Sequence, residues 1–281
     1  IFSRPEITAA AIAAAKCEPA GSGTGILPIA FPCYPPDASD PSQSPDCEVI
    51  YGDDDQDADW HIENGRMTIV MDSDPSKGAC APEGPIDCDI NDDGIKDAII
   101  GVDARGWLDL DGGGGGSDDL DNWIINGYQG DPIVHHTWLG TQGGVTGSTF
   151  IAVRDYREGD EVMIPIFDRL CPDGPPSSIC PALYDDGDTE ILVGGIGHMY
   201  YRIVGFALFH ITCVHASGSD GASTSRCPYR QYLLENGPSF FDSLKSLDTK
   251  TIEGYFVQGT DPGAGGGGGV DYGLYVVHLS R

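Results

Sequence analysis

Positive charge is what this chain has least of. Its 281 residues carry 15 lysines and arginines against 44 aspartates and glutamates, a formal net charge of −29. Such a surface repels phosphate backbones and anionic headgroups, which argues against nucleic-acid binding and peripheral membrane binding. Long apolar runs are missing too: no segment reaches the ~18 residues that a membrane-spanning helix needs. No secretory leader is visible. The chain opens at Ile1 and Phe2 in mid-pattern, so we expect a processed or partial product whose export signal lies upstream.

Catalytic signatures are equally absent. There is no G-x-S-x-G elbow, no G-x-x-x-x-G-K-[ST] phosphate loop and no C-x-x-C pair. The glycine runs 112–116 and 265–269 are followed by no basic residue and read as flexible loop tips. With 44 acids, some carboxylate pair falls at any chosen spacing, so a glycosidase pair cannot be singled out. Seven histidines are scattered at His61, His135, His136, His198, His210, His215 and His278. His135 and His136 adjoin Trp138 as a conceivable ligand pair, but neighbours on a strand face opposite ways. His210 and His278 lie in strand patterns and read as packing residues. The expectation is a protein without enzymatic activity.

What the chain does contain is a calcium loop. Asp89, Asn91 and Asp93 stand at alternate positions, Gly94 permits the sharp turn, the Ile95 carbonyl turns inward and Asp97 closes the shell. An EF-hand needs a bidentate Glu at the twelfth position, where this chain has Ile100, and the residues after Asp97 read as a strand. A propeller would repeat the loop in each blade, and a second clean copy is missing. The implied cofactor is Ca2+, in a site weak enough to require the millimolar calcium found outside cells.

Nine cysteines accompany the loop. Their intervals suggest local staples, Cys33 with Cys47, Cys80 with Cys88, Cys171 with Cys180 and Cys213 with Cys227, each bracketing a turn-rich stretch where a crosslink most restricts the unfolded chain. Cys17 is left over. Disulfides and a calcium loop together point to an extracellular location.

Forty glycines and twenty prolines break nearly every helical window. Strands are expected at 67–71, 98–102, 150–153, 161–167, 190–193, 200–214, 255–257 and 274–279, where apolar residues are β-branched or aromatic. Trp107 reads as a core residue on a short strand. The alanine-rich segment 7–16 is also read as a strand. The best helix is 118–126, with Ser117 or Asp118 as its cap and Leu120, Trp123 and Ile124 on one face. A second short helix is expected at 229–236. The resulting expectation is a mainly β protein, an antiparallel sheet or sandwich with long disulfide-stapled, calcium-braced loops and few short helices. Its parts are a strand arm at 1–30, a loop-rich calcium region at 31–104 and a main β domain at 105–281, or one continuous domain over 1–281.

Several segments together resemble the extracellular C-terminal region of TadG/TadE-like proteins of tight-adherence (Flp) pilus systems. They are the alternating segment from Phe2 to Ile29 with its Leu27-Pro28-Ile29, Arg105 to Asp111, Leu120 to Gly127, Thr137 to Leu139 with Gln142, Gly159 to Pro165, Tyr201 to Ala207, Ile252 to Val257 and Gly273 to Val277. The family's membrane helix is absent at the start. The resemblance implies a structural component of a cell-surface appendage, pilus-associated or filament-forming, whose partners are other copies of itself or other appendage subunits. The segment from Phe2 to Lys16 is the expected connector, able to add to a neighbour's open sheet edge. The alternative is a secreted calcium-dependent adhesion or carbohydrate-binding module, with exposed aromatics in Asp-rich loops.

Overall fold

In a computed structural model of the chain, the longest apolar run becomes the spine of the fold. The structure describes residues 14–32, 69–72, 98–100, 106–114, 116–142, 147–172, 191–193, 199–216, 227–228, 250–257, 259–260, 264–265 and 274–280. In chain order the elements begin with β1 (Ala14–Pro19), β2 (Ser22–Gly23), β3 (Ile29–Pro32), β4 (Ile69–Asp72), β5 (Ala98–Ile100) and β6 (Gly106–Trp107). Then follow α1 (Ser117–Asn126), β7 (Ile133–Val134), β8 (Thr137–Gly140), α2 (Gly147–Arg157), β9 (Glu161–Pro172) and β10 (Ile191–Val193). The last are β11 (Met199–His215), β12 (Thr251–Val257), β13 (Gly259–Thr260), β14 (Ala264–Gly265) and β15 (Leu274–Ser280).

The chain is mainly β. Among the described residues nine strands form one sheet in the order β5-β4-β12-β11-β9-β3-β6, with β8 paired to β11 and β10 to β8. Successive strand residues face opposite sides, so the unbroken buried run from Tyr201 to Phe209 means that both faces of β11 are covered. On one side α2 lies against β11, and α1 packs on α2. Phe150 of α2 meets Trp107 edge to face at 5.6 Å, and Phe256 receives both Phe31 and Phe209, at 4.9 and 5.3 Å. β11 and β12 approach so closely that a Cβ at position 254 would run into the His210 carbonyl and the Phe209 ring, which is why Gly254 stands there.

Three expectations need correction. The sheets are mixed: β3–β9, β4–β5, β8–β10 and β13–β15 are parallel. The stretch 150–153, expected as a strand, is the middle of α2, with Thr149, Phe150, Ala152 and Val153 buried on one helical face. Four apolar residues are too few to reveal a period, and packing against β11 outweighs their β propensity. In α1 the buried face is the expected Leu120, Trp123 and Ile124, but the N-cap is Gly116, with no side-chain cap; Asp118 and Asp119 in the first turn instead complement the helix dipole. α1 ends at Gly127, whose φ of 73° is left-handed and whose Cα side faces the Gly25 backbone, leaving no room for a side chain.

The expected connector also looks different at its described end. Residues Ala14, Ala15 and Lys16 pair within the chain with Ser280, Leu279 and His278 as β1 runs antiparallel to β15. These strands and β13 make a sheet of their own, in the order β1-β15-β13.

Candidate functional site

The calcium-loop residues Asp89, Asn91, Asp93, Ile95 and Asp97 lie outside the described residues. So do Cys33, Cys47, Cys80, Cys88 and Cys180, and the segment 229–236. Cys171 lies on β9 and Cys17 on β1. Cys213 and Cys227 are joined: the S–S bond closes with a Cα–Cα distance of 5.5 Å across 14 residues. Both sulfur-bearing residues are buried, so the bridge ties the end of β11 to a later segment inside the protein.

The most organised polar site among the described residues lies where β6 runs on toward α1. There the backbone is pinned to β8 and its extension: Asp109 N–H donates to the Gly140 carbonyl, and Gln142 N–H to that of Trp107. Asp109 is thereby drawn fully inside, at 0% exposure. A buried carboxylate needs donors, and the glycine run supplies them. Gly112 N–H donates to Asp109 Oδ1 at 2.9 Å and Gly114 N–H to Oδ2 at 3.1 Å. Gly113 N–H, between them, donates to Asp111 Oδ1 at 2.8 Å. The run expected as a loose tip is therefore wound around two carboxylates.

The electrostatics of this loop are one-sided. Burial, reinforced by the neighbouring Asp111 carboxyl, holds the Asp109 pKa above the ordinary aspartate value, against the pull of the Gly114 and Gly112 amides. Burial also raises the Tyr128 phenol, helped by the negative charges of Asp111, Asp131 and Asp109. Tyr128 follows α1 and packs edge to face on Trp123 at 5.9 Å. A buried carboxyl held toward its protonated form inside a cradle of backbone amides is the chemistry this arrangement offers. Among the described residues no three His, Cys, Asp or Glu side chains gather as a metal group. The signal for this turn in the sequence is an aspartate followed by glycines three and five residues on.

His210 sits on β11 against the ring of Tyr255, centroids 5.1 Å apart, as a packing residue. His135 and His136 are not on a strand: they form the turn between β7 and β8, and their rings meet at 4.8 Å. No protein-family model, curated protein or solved structure matches the chain.

Proposed function

We propose that the protein is an extracellular structural component of a cell-surface appendage, a pilus-associated or filament-forming subunit stabilised by calcium and disulfides. The observation that carries the extracellular part is the Cys213–Cys227 bridge, because such crosslinks persist in oxidising compartments. The appendage role rests on the resemblance of the chain to TadG/TadE-like proteins. In this reading the protein has no catalytic task, and the Asp109–Asp111 pair serves to fix the glycine loop rather than to act on a substrate. Self-assembly would use residues before Ala14, since 14–16 are already paired with β15.

The described tryptophans do not favour the alternative of a glycan-binding module. Trp107, Trp123 and Trp138 are all buried and offer no stacking platform. Electron microscopy of the native material separates the two readings. Filaments or surface fibres containing the protein support the structural reading. Isolated particles that are retained on a glycan array overturn it.

A further inference from the structure

α1 is flanked by two connections that bring oxygen-bearing side chains together. Before the helix stand Asp109 and Asp111, and after it Tyr128 and Asp131. The Asp111 carboxyl lies within hydrogen-bond reach of that of Asp109. Asp109 is fully buried, whereas Asp111 and Asp131 are exposed, so the group opens to solvent on one side. Each oxygen of Asp109 accepts one glycine amide, at 2.9 and 3.1 Å, and Asp111 Oδ1 accepts one at 2.8 Å. A carboxylate oxygen can accept from two directions, so the amide cradle leaves acceptor capacity on both carboxyls.

Tyr128 is the second, independent observation. Only 6% of it is exposed, with the ring packed on Trp123, yet its phenol oxygen has no hydrogen-bond partner among the described residues. That oxygen lies over Gly130, where a Cβ would collide with it. The charges of Asp111, Asp131 and Asp109 all act on it, with Asp111 the strongest. A polar atom held this deep, facing acids and bonded to none of them, calls for a partner that the protein does not itself supply.

We infer that Asp109, Asp111 and the Tyr128 phenol oxygen form a second Ca2+ site, completed by water. An all-oxygen donor set selects a hard cation, and calcium accepts the irregular geometry of a wound loop. Asp131 adds charge nearby rather than a ligand. Two carboxylates are fewer than a tight calcium site uses, so the affinity falls at the weak end of extracellular modules, about 1 mM. At millimolar calcium the site is then only partly filled and moves the melting temperature little. Its effect is local: one ion bridges the chain entering α1 to the turn leaving it. The site uses none of the residues 89–97 and does not rest on the appendage reading.

The test is a Ca2+ titration of the full chain carrying Asp93→Ala, which disables the loop at 89–97, followed through amide NMR shifts. Amides of 109–114 and 128–131 should move together along one saturation curve with a midpoint of about 1 mM. This titration locates the ion without any change at the site itself. Asp111→Asn, at an exposed position, should then weaken the curve by about tenfold or more, since even an outer-shell partner is worth about 10–100-fold. Tyr128→Phe keeps the ring on Trp123 and should weaken it less. Shifts confined to other acidic stretches, or an unchanged midpoint in either variant, overturn the site.

Discussion

Arg157, at the end of α2, caps α1: its Nε donates to the carbonyl of Ile124 and its Nη2 to that of Ile125. The last carbonyls of a helix have no partner within it, and a guanidinium fork answers two of them at once. Arg157 also lies 3.7 Å from Asp160, an exposed contact of little energetic weight. Arg157→Ala should cost about 1–2 kcal/mol in urea unfolding, and Arg157→Lys should recover only part of it. Asp160→Asn should be close to neutral. A larger effect at Asp160 than at Arg157 would show that the α1 carbonyls do not depend on the guanidinium.

Asp109 gives the glycine loop a pH dependence of definite sign. Its pKa is raised in the folded state, so the fold binds that proton more tightly than the unfolded chain does. The stability this contributes is present at low pH and is lost as pH rises through the folded pKa. Acidification also relieves general repulsion in a chain of charge −29, so the informative quantity is a difference between two proteins. Asp109→Asn mimics the protonated form and keeps one acceptor for the loop amides. Melting temperatures measured from pH ~7 down to ~4, close to the ordinary aspartate pKa, should rise less in the variant than in the wild type. Parallel curves would mean that Asp109 is ionised throughout.

The strands that could be read from the sequence are those whose local chemistry left no alternative. The run 200–214 is too apolar and too rich in β-branched and aromatic side chains to be anything but a buried strand, and it is β11. α1 was legible because Leu120, Trp123 and Ile124 repeat at helical spacing over ten residues. α2 was not, because only Phe150 to Val153 stood out and the helix is selected by what it packs against. Strand direction was also hidden: alternation is the same in parallel and antiparallel strands, and the partners of β3 and β8 come from distant parts of the chain. The Asp109 loop and the His135–His136 turn escaped for one shared reason. Both depend on backbone that leaves the extended conformation, through glycines in one case and a left-handed histidine in the other.

The Cys213–Cys227 bridge closes a 14-residue separation next to the point where β11 shifts register against β12, between Ile211 and Cys213. A bulge weakens the ladder locally, and a crosslink beside it limits how far the strand end can open. Loop-closure entropy for a loop of this size amounts to about 3 kcal/mol. The double substitution Cys213→Ser with Cys227→Ser should therefore lower unfolding stability by about 2–4 kcal/mol. Amide exchange should quicken in 211–215 and 251–253 while remaining slow at Phe206 to Phe209, whose neighbours lie deeper in the sheet. Unchanged exchange at 211–215 would show that the strand pairing alone holds that end.

Calcium at Asp89, Asn91, Asp93, Ile95 and Asp97 makes a prediction that separates ion binding from a merely acidic turn. A ligand that binds only the folded state stabilises it by RT ln(1 + [L]/Kd), about 1.4–2.7 kcal/mol when calcium exceeds its Kd by ~10- to ~100-fold. For a chain of this size that amounts to a few degrees in melting temperature. The wild type should melt higher in millimolar calcium than in chelator. Asp93→Ala should lose that increment in calcium yet match the wild type in chelator, because the carboxylate then has no ion to hold. Magnesium should not substitute, since it demands near-ideal octahedral geometry and gives up its water reluctantly. Melting temperatures that coincide in calcium and chelator would remove calcium from the proposed function while leaving the disulfide, and the extracellular reading that rests on it, in place.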